Sequence, residues 1–481
     1  MKELTIENKN HNDKLSLEYL FHPKSIAVVG VSTDTTRIAS GQIFLRALLD
    51  TKFKGKVYPV SREEGKILGL KIYSSIRDIP DTVDYVISAI PAQDIPQLII
   101  DCATKMVKAI HIFTAGFSEI ADEDGERRQS QITAMARQRN ISIIGPNCMG
   151  LYCPKTGLAF HPDMPKESGT IAFLSQSGGN AIYAIREAAS RGICFSKVIS
   201  YGNACDLNES DFLEYLTHDP ETEVIAAYIE GVKDGTRLVE ALKQASRVKP
   251  VIVYKGGTTE SGTRAVSSHT GAIAGSNRVW DGLLKQVGAI QVYSMEELLD
   301  ILMLFRYMSP PEGRATAVIG IGGGNSVRAA DACSSAGLTV PLLPTETRGR
   351  LEEIYASEVG GSFRNPVDTY FARWDLLQET IKIVADCDQI DLLILHITIG
   401  FAGPKYETRL NLIKPYVESI SSVTRVINKP VAIVLYPIGL AKFEPITAEE
   451  EVALYKAGLS VFPLVGQAAR AITKFIEYQR Q

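Results

Sequence analysis

The stretch Ser25-Ile26-Ala27-Val28-Val29-Gly30, SIAVVG, sets the reading of the whole chain. A short run of β-branched and small apolar residues ends on a glycine, and a segment of helical periodicity, Gly41–Leu49, follows. The motif then recurs. Lys56–Val60, Tyr85–Ile90, Ala109–Thr114 and Ile141–Gly145 read as further strands, with Asp94–Cys102 as an intervening helix. Strands that alternate with helices imply parallel β-α-β units and an open sheet wound on both faces.

The same opening appears twice more. Thr170–Ser175 (TIAFLS) runs into Gln176-Ser177-Gly178, and strands are expected at Ser196–Ser200, Val224–Glu230, Pro250–Lys255 and Ala289–Val292. After the linker Ser309-Pro310-Pro311-Glu312-Gly313, Ala315–Ile321 leads into Gly322-Gly323-Gly324-Asn325, with strands at Leu392–Ile397, Val431–Leu435 and Leu459–Phe462. The expected fold class is α/β, with three consecutive doubly wound domains of Rossmann or flavodoxin type and mainly parallel sheets. Their expected bounds are 21–150, 151–308 and 314–481, behind a polar arm at 1–20. The chain of 481 residues is long enough for three such cores.

Composition narrows the function classes. The hydrophobic fraction is 45% and the charged fraction 22%, which excludes a disordered or coiled-coil chain. A net charge of -4 gives no footprint for nucleic acid or an anionic membrane as the partner. No apolar run has the length of a membrane span, and the start of the chain lacks the apolar core of a signal peptide, so a cytoplasmic location is expected. Seven cysteines without paired spacing form neither a disulfide framework nor a zinc knuckle, and no metal ligand set is expected. Histidine chemistry must use one of His11, His22, His111, His161, His218, His269 and His396.

In doubly wound sheets, ligands bind at the carboxyl ends of the strands. The loop Gly30-Val31-Ser32-Thr33 offers close backbone approach to a phosphate, and Arg62 after the second strand suits a phosphorylated ribose. An NAD(P) or CoA site and an ordinary tight turn both fit that loop; the G-x-G-x-x-G fingerprint of a dehydrogenase is absent, because Ser32 replaces the second glycine. In Gly145-Pro146-Asn147-Cys148-Met149-Gly150, Cys148 reads either as a reactive thiol or as a small apolar filler. Ser177 lacks the G-x-S-x-G elbow of a hydrolase, so Ser175–Gly179 reads as an anion cradle at a helix start. The run Lys255–Gly275 reads as a mobile small-residue loop that presents His269, or as a solvated loop. Glu230 ends a buried strand, where it either orients an imidazole or caps the next turn. Gly322–Asn325 repeats the strand, glycine, helix pattern.

Taken in order, SIAVVG, GFSE (116–119), GPNCMG (145–150), LSQSGG (174–179), SYGNACD (200–206), YIEGVKDG (228–235), SSHTGAIAG (267–275) and NPVD (365–368) resemble the α subunit of nucleoside-diphosphate-forming acyl-CoA synthetases, the ADP-forming acetate–CoA ligase type related to succinyl-CoA synthetase. The resemblance runs from about Ser25 to the C-terminus. It implies that His269 becomes a phosphohistidine, that Glu230 holds it, and that Ser177, Gly178 and the Gly322, Gly323, Gly324, Asn325 loop steady the phosphoryl group. It implies a CoA site at Gly30, Ser32, Ser61, Arg62, Pro91, Asn147 and Cys148. It implies that ATP or ADP and Mg2+ sit on a separate ATP-grasp β subunit, in a heteromer such as α2β2, and that the small-molecule partners are a carboxylic acid, CoA and phosphate. Two departures stand out. Ser61-Arg62-Glu63 replaces the usual Asn-Pro-Lys, and Ala47 stands where Asn is usual. They leave a non-catalytic CoA- or acyl-CoA-binding regulatory subunit as the alternative.

Overall fold

The computed structural model describes residues 17–34, 39–270, 277–320, 322–355, 362–369, 374–398, 415, 417–436 and 444–480. Most of the polar arm, residues 1–16, lies outside the described residues, as do Gly271 and Gly275 of the His269 segment. Among the described residues, three large sheets carry the fold. The first has the spatial order Lys56–Val60, Ser25–Val29, Tyr85–Ser88, Ala109–Ile112, Ser142–Ile144, and every pairing in it is parallel. Its strands are buried on both faces, as an apolar β-branched run requires when helices cover the sheet on each side.

The second sheet runs Ile290–Val292, Val251–Lys255, Val224–Ile229, Ile171–Ser175, Phe195–Ser200, with Gly150–Tyr152 as an antiparallel edge. The third runs Val367–Asp368, Thr316–Gly320, Leu392–Thr398, Val431–Tyr436, Ser460–Phe462, with Ser362–Phe363 antiparallel at the outside. Read by chain order, the parallel strands of all three sheets follow the sequence 2-1-3-4-5. Each sheet therefore reverses direction between its first and third strands, and the crevice over that reversal is where such folds take ligands.

The described residues divide into two compact units. One holds the first two sheets through Met295, apart from Ser190–Ile193; the other joins that short segment to Glu296 and the rest of the chain. Within the first unit, Tyr19 and Ser142 share a hydrogen bond of 2.8 Å, and the Tyr215 hydroxyl donates to Glu18 at 2.7 Å. In the second, Asn365 staples the sheet: its amide donates to the Thr316 and Pro341 carbonyls, and its side-chain oxygen accepts from the Val318 N–H. The NPVD motif thus enters the third sheet as strand Val367–Asp368.

One expectation fails. The run from Lys255 to Gly275 is not a loop throughout: Glu260–Thr270 is helical, with His269 next to its last residue. Thr259 caps it, since its hydroxyl accepts from the Gly262 N–H at 3.0 Å. Arg264 pairs with Glu260 one turn back at 2.7 Å. Val266 is buried, and the helix packs against the turn Ser118–Ile120 of the GFSE motif. Packing and a cap outweigh the weak helix propensity of Ser, Thr and Gly.

Candidate functional site

The carboxyl edge of the second sheet gathers several of the residues singled out above. Strand Ile171–Ser175 is followed by Gln176, strand Val224–Ile229 by Glu230, and strand Val251–Lys255 ends in Lys255 itself. The first two strands are the pair at the reversal of strand order. Gln176 is 6% exposed, and its side-chain oxygen accepts from the N–H groups of both Glu230 (2.8 Å) and Gly231 (3.0 Å). Its own N–H donates to the Tyr228 carbonyl at 3.1 Å. The glutamine therefore fixes the backbone from which the Glu230 side chain projects.

Glu230 is 5% exposed, and Tyr228 hydrogen-bonds its carboxylate. Burial and that neighbouring charge push the Tyr228 hydroxyl well above the usual tyrosine range, so it stays protonated. Lys255 is also buried; its ammonium donates to the Glu230 carbonyl at 2.7 Å and to the Gly256 carbonyl, and lies 5.6 Å from the Trp280 ring centre. Burial lowers the Lys255 pKa, while the Glu230 charge opposes the shift. Neither Gln176 nor Lys255 stood out by residue type alone; a polar residue at the end of an apolar strand was their only signal.

The helix Gly178–Ser190 starts beside this joint. Ser177 caps it, its hydroxyl accepting from the Asn180 N–H at 3.3 Å. Ser175 Oγ donates to the Ser177 carbonyl at 2.6 Å, which fixes the turn. A Cβ on Gly178 would stand 2.8 Å from Met149 Cγ, so glycine lets the GPNCMG turn lie against the helix start. His269 enters differently. It lies on the helix that follows Lys255, about 14 Å along the axis from Glu260 at 1.5 Å per residue. Its side chain is outside the described residues.

The remaining motifs interlock around the same edge. The Lys233 ammonium donates to the Asn203 (2.8 Å) and Ala204 (3.2 Å) carbonyls. The Asn203 amide donates to Glu119 at 2.5 Å and to Gln129 at 3.1 Å. Glu119 in turn accepts from the Gly116 and Phe117 N–H groups. GFSE, SYGNACD and YIEGVKDG are thereby one hydrogen-bonded network.

At the edge of the first sheet, Gly30, Ser61, Arg62 and Pro91 line a cavity of about 490 Å³, together with Glu63, Asp94 and others. That volume is within the usual range for a small-molecule site. Gly30 has φ +94° and adjoins Gly41, where a Cβ would fall 2.4 Å from the Gly30 carbonyl oxygen. The Arg62 guanidinium is almost fully exposed and stands 3.5 Å from Asp94. Ser32 sits on the neighbouring loop, where it donates to Glu63 at 3.0 Å. Asn147 and Cys148 are elsewhere, in the turn after the last strand. The Asn147 amide faces Asn203 at 3.5 Å, and Cys148 is buried with its thiol directed to the Ile112 carbonyl. Burial pushes the Cys148 thiol far up, as expected of an apolar filler.

In the second unit, the Gly322 N–H donates to Asp368 at 2.7 Å, and Gly323 opens the helix Gly323–Ser335. The Asp368 carboxylate thus stands at the N-terminus of that helix. Among the described residues no helix is long and apolar enough to cross a membrane.

Residues 24–154 match the family described as CoA binding domain, and residues 168–305 match succinyl-CoA ligase like flavodoxin domain. The chain is 36% identical, over 80% of its length and 84% of the relative's, to the α subunit of acetate–CoA ligase [ADP-forming] II from Pyrococcus furiosus. It is 35% identical to acetate–CoA ligase [ADP-forming] I from Archaeoglobus fulgidus, over 79% of this chain but only 55% of that longer protein. The acetyl-coenzyme A synthetase 1 of Ca. Korarchaeum cryptofilum, solved in complex with phosphate and ADP, superposes with a TM-score of 0.81 at 30% identity over 97% of both chains. The chain belongs to the α-subunit family of ADP-forming acetate–CoA ligases, the ADP-forming acyl-CoA synthetases.

Proposed function

We propose that this chain is the α subunit of an enzyme that interconverts acyl-CoA, ADP and phosphate with free acid, ATP and CoA. One observation carries the reading. Gln176 fixes Glu230 at the reversal point of the second sheet, beside the Ser177–Gly178 helix start, and the adjacent strand leads into the helix that bears His269.

A phosphate oxygen attacks the thioester carbonyl, the C–S bond breaks, and CoA leaves as acyl phosphate forms. An unprotonated ring nitrogen of His269 then attacks phosphorus, the bond to the acyl oxygen breaks, and the carboxylate leaves. Glu230 accepts the other ring N–H, fixes the tautomer and offsets the charge on the phosphorylated ring. The helix N-terminus at Ser177–Gly178 receives the phosphoryl oxygens, whose spread charge makes positioning the main contribution. The helix with His269 must leave its seat on the Ser118–Ile120 turn to carry the phosphoryl group onward to ADP.

Gly30, Ser32, Ser61, Arg62 and Pro91 belong to the CoA site in this reading, with the cavity beside Gly30 taking the nucleotide, while Asn147 and the buried Cys148 lie outside that cavity in the turn after the sheet's last strand. ADP and Mg2+ bind to an ATP-grasp β chain in a heteromer such as α2β2, in the cytoplasm. The three segments 21–150, 151–308 and 314–481 divide the work among CoA, phosphohistidine and the acyl site. The relatives named as ligases favour catalysis over a purely regulatory role.

The test uses radiolabelled phosphate with acyl-CoA. The expected label is acid-labile and base-stable, and is lost in His269→Ala. Undiminished label in that variant overturns the mechanism.

A further inference from the structure

The first-sheet crevice already holds an anion, and it belongs to the chain itself. The Glu63 carboxylate accepts from the Thr33 N–H at 2.6 Å, the Thr33 hydroxyl at 2.5 Å and the Ser32 hydroxyl at 3.0 Å. Both carboxylate oxygens are engaged, one by Ser32 and the other twice by Thr33. These donors follow directly after the first strand, where a doubly wound sheet offers its N–H and hydroxyl groups to a phosphoryl group. The loop is held in shape from below. The buried Gln42 amide donates to the Ser32 carbonyl (2.5 Å) and the Asp34 carbonyl (2.8 Å). Glu63 also lines the 490 Å³ cavity next to Ser61 and Arg62, so its carboxylate stands between that cavity and the loop donors.

We infer that Glu63 is an internal competitor of the incoming phosphoryl group, and so sets both the affinity and the selectivity of this site for phosphorylated ligands. The inference rests on the CoA reading of the cavity. A ligand phosphate that takes the Ser32 and Thr33 donors must displace the carboxylate, since the two anions cannot share three donors without strong repulsion. The thrice-bonded Glu63 is held as the carboxylate, its pKa lowered first by the Thr33 hydroxyl, then by the Thr33 N–H and Ser32. The binding-competent fraction is the fraction with Glu63 released. If it is about one tenth, the apparent affinity is about tenfold below the intrinsic one. Arg62, exposed beside it, is free to turn from Asp94 to the arriving charge once Glu63 has left.

The experiment is equilibrium calorimetry on the full chain, comparing wild type, Glu63→Ala and Glu63→Gln, with CoA, 3′-dephospho-CoA and pantetheine. Alanine removes the competitor; glutamine keeps its shape without its charge. Both variants are expected to bind CoA about tenfold more tightly and pantetheine no more tightly than wild type. A gain retained with 3′-dephospho-CoA places the diphosphate at Ser32 and Thr33; a gain lost with it places the 3′-phosphate there. CoA affinity that is equal or weaker in both variants overturns the inference and leaves the CoA reading standing; the weaker case makes Glu63 a ligand-holding group. Absence of CoA binding in all three forms overturns the CoA reading and the inference with it.

Discussion

Gln176 and Glu230, 54 residues apart, are joined by a 2.8 Å hydrogen bond from the glutamate N–H to the glutamine side-chain oxygen. The bond closes the reversal point of the second sheet, and a second one to Gly231 N–H doubles it. The SQSG and YIEG motifs therefore act through one joint.

Replacing Gln176 by leucine keeps the volume and removes the acceptor. Two buried N–H groups lose their partner, at a cost of about 1–3 kcal/mol each. Phosphohistidine formation is expected to fall at least about tenfold while CoA affinity, a property of the first sheet, stays constant. Phosphate labelling beside calorimetry checks this; a parallel loss of both would make Gln176 a general stabiliser and not a positioning residue.

Glu230→Gln preserves size and removes the charge. If Glu230 steadies the phosphorylated imidazole, labelling is expected to drop by about two orders of magnitude, the scale of one lost electrostatic contact in a transition state. Labelling rates within a factor of two of wild type would remove Glu230 from the mechanism.

Thiol chemistry separates the cysteines. Cys102, Cys148, Cys153 and Cys333 are buried and burial raises their pKa, Cys333 to about 12, while Cys205 is pushed up to about 11. At pH 8 the native chain is expected to leave Cys148 unalkylated, and the denatured chain to expose all seven thiols to the reagent. Peptide mapping after iodoacetamide decides it; modification of native Cys148 within minutes would mark it as a reactive group.

Glu209 supplies a pH dependence. It opens the helix Glu209–His218, is 3% exposed, and burial raises its pKa to about 7. The folded chain therefore retains a proton that the unfolded chain gives up near pH 4.3. The associated stability is fully present below that pH, declines as pH rises, and is gone above about 7. At about 1.4 kcal/mol per pKa unit, the loss is on the order of 3 kcal/mol. Glu209→Gln should raise Tm at pH 8 and change it little at pH 5. An equal shift at both pH values would show that the carboxyl is not perturbed.

Much of this was legible in the residues. Short apolar runs that end in a glycine or a Ser/Gly turn mark the first strands of all three sheets, because strand formation and a left-handed exit such as Gly30 are local demands. Glu230 at the end of a buried strand was legible for the same reason. The helix over Glu260–Thr270 was not, because its small polar residues favour a loop until the Thr259 cap, the Glu260–Arg264 pair and the Ser118–Ile120 turn support it.

Sequence alone determined the central strands, the glycine loops and the family, since these depend on side-chain type within a few neighbouring residues; the short edge strands Gly150–Tyr152, Ser362–Phe363 and Val367–Asp368 it did not. Tertiary structure decided which strand ends meet. The 2-1-3-4-5 order brings Gln176 to Glu230, and the approach of the second strand's exit to the first brings Glu63, 30 residues on, to Thr33. Such contacts are set by how sheets wind and loops close, and residues far apart in the chain acquire a joint chemistry only when that winding puts their polar atoms within hydrogen-bond reach.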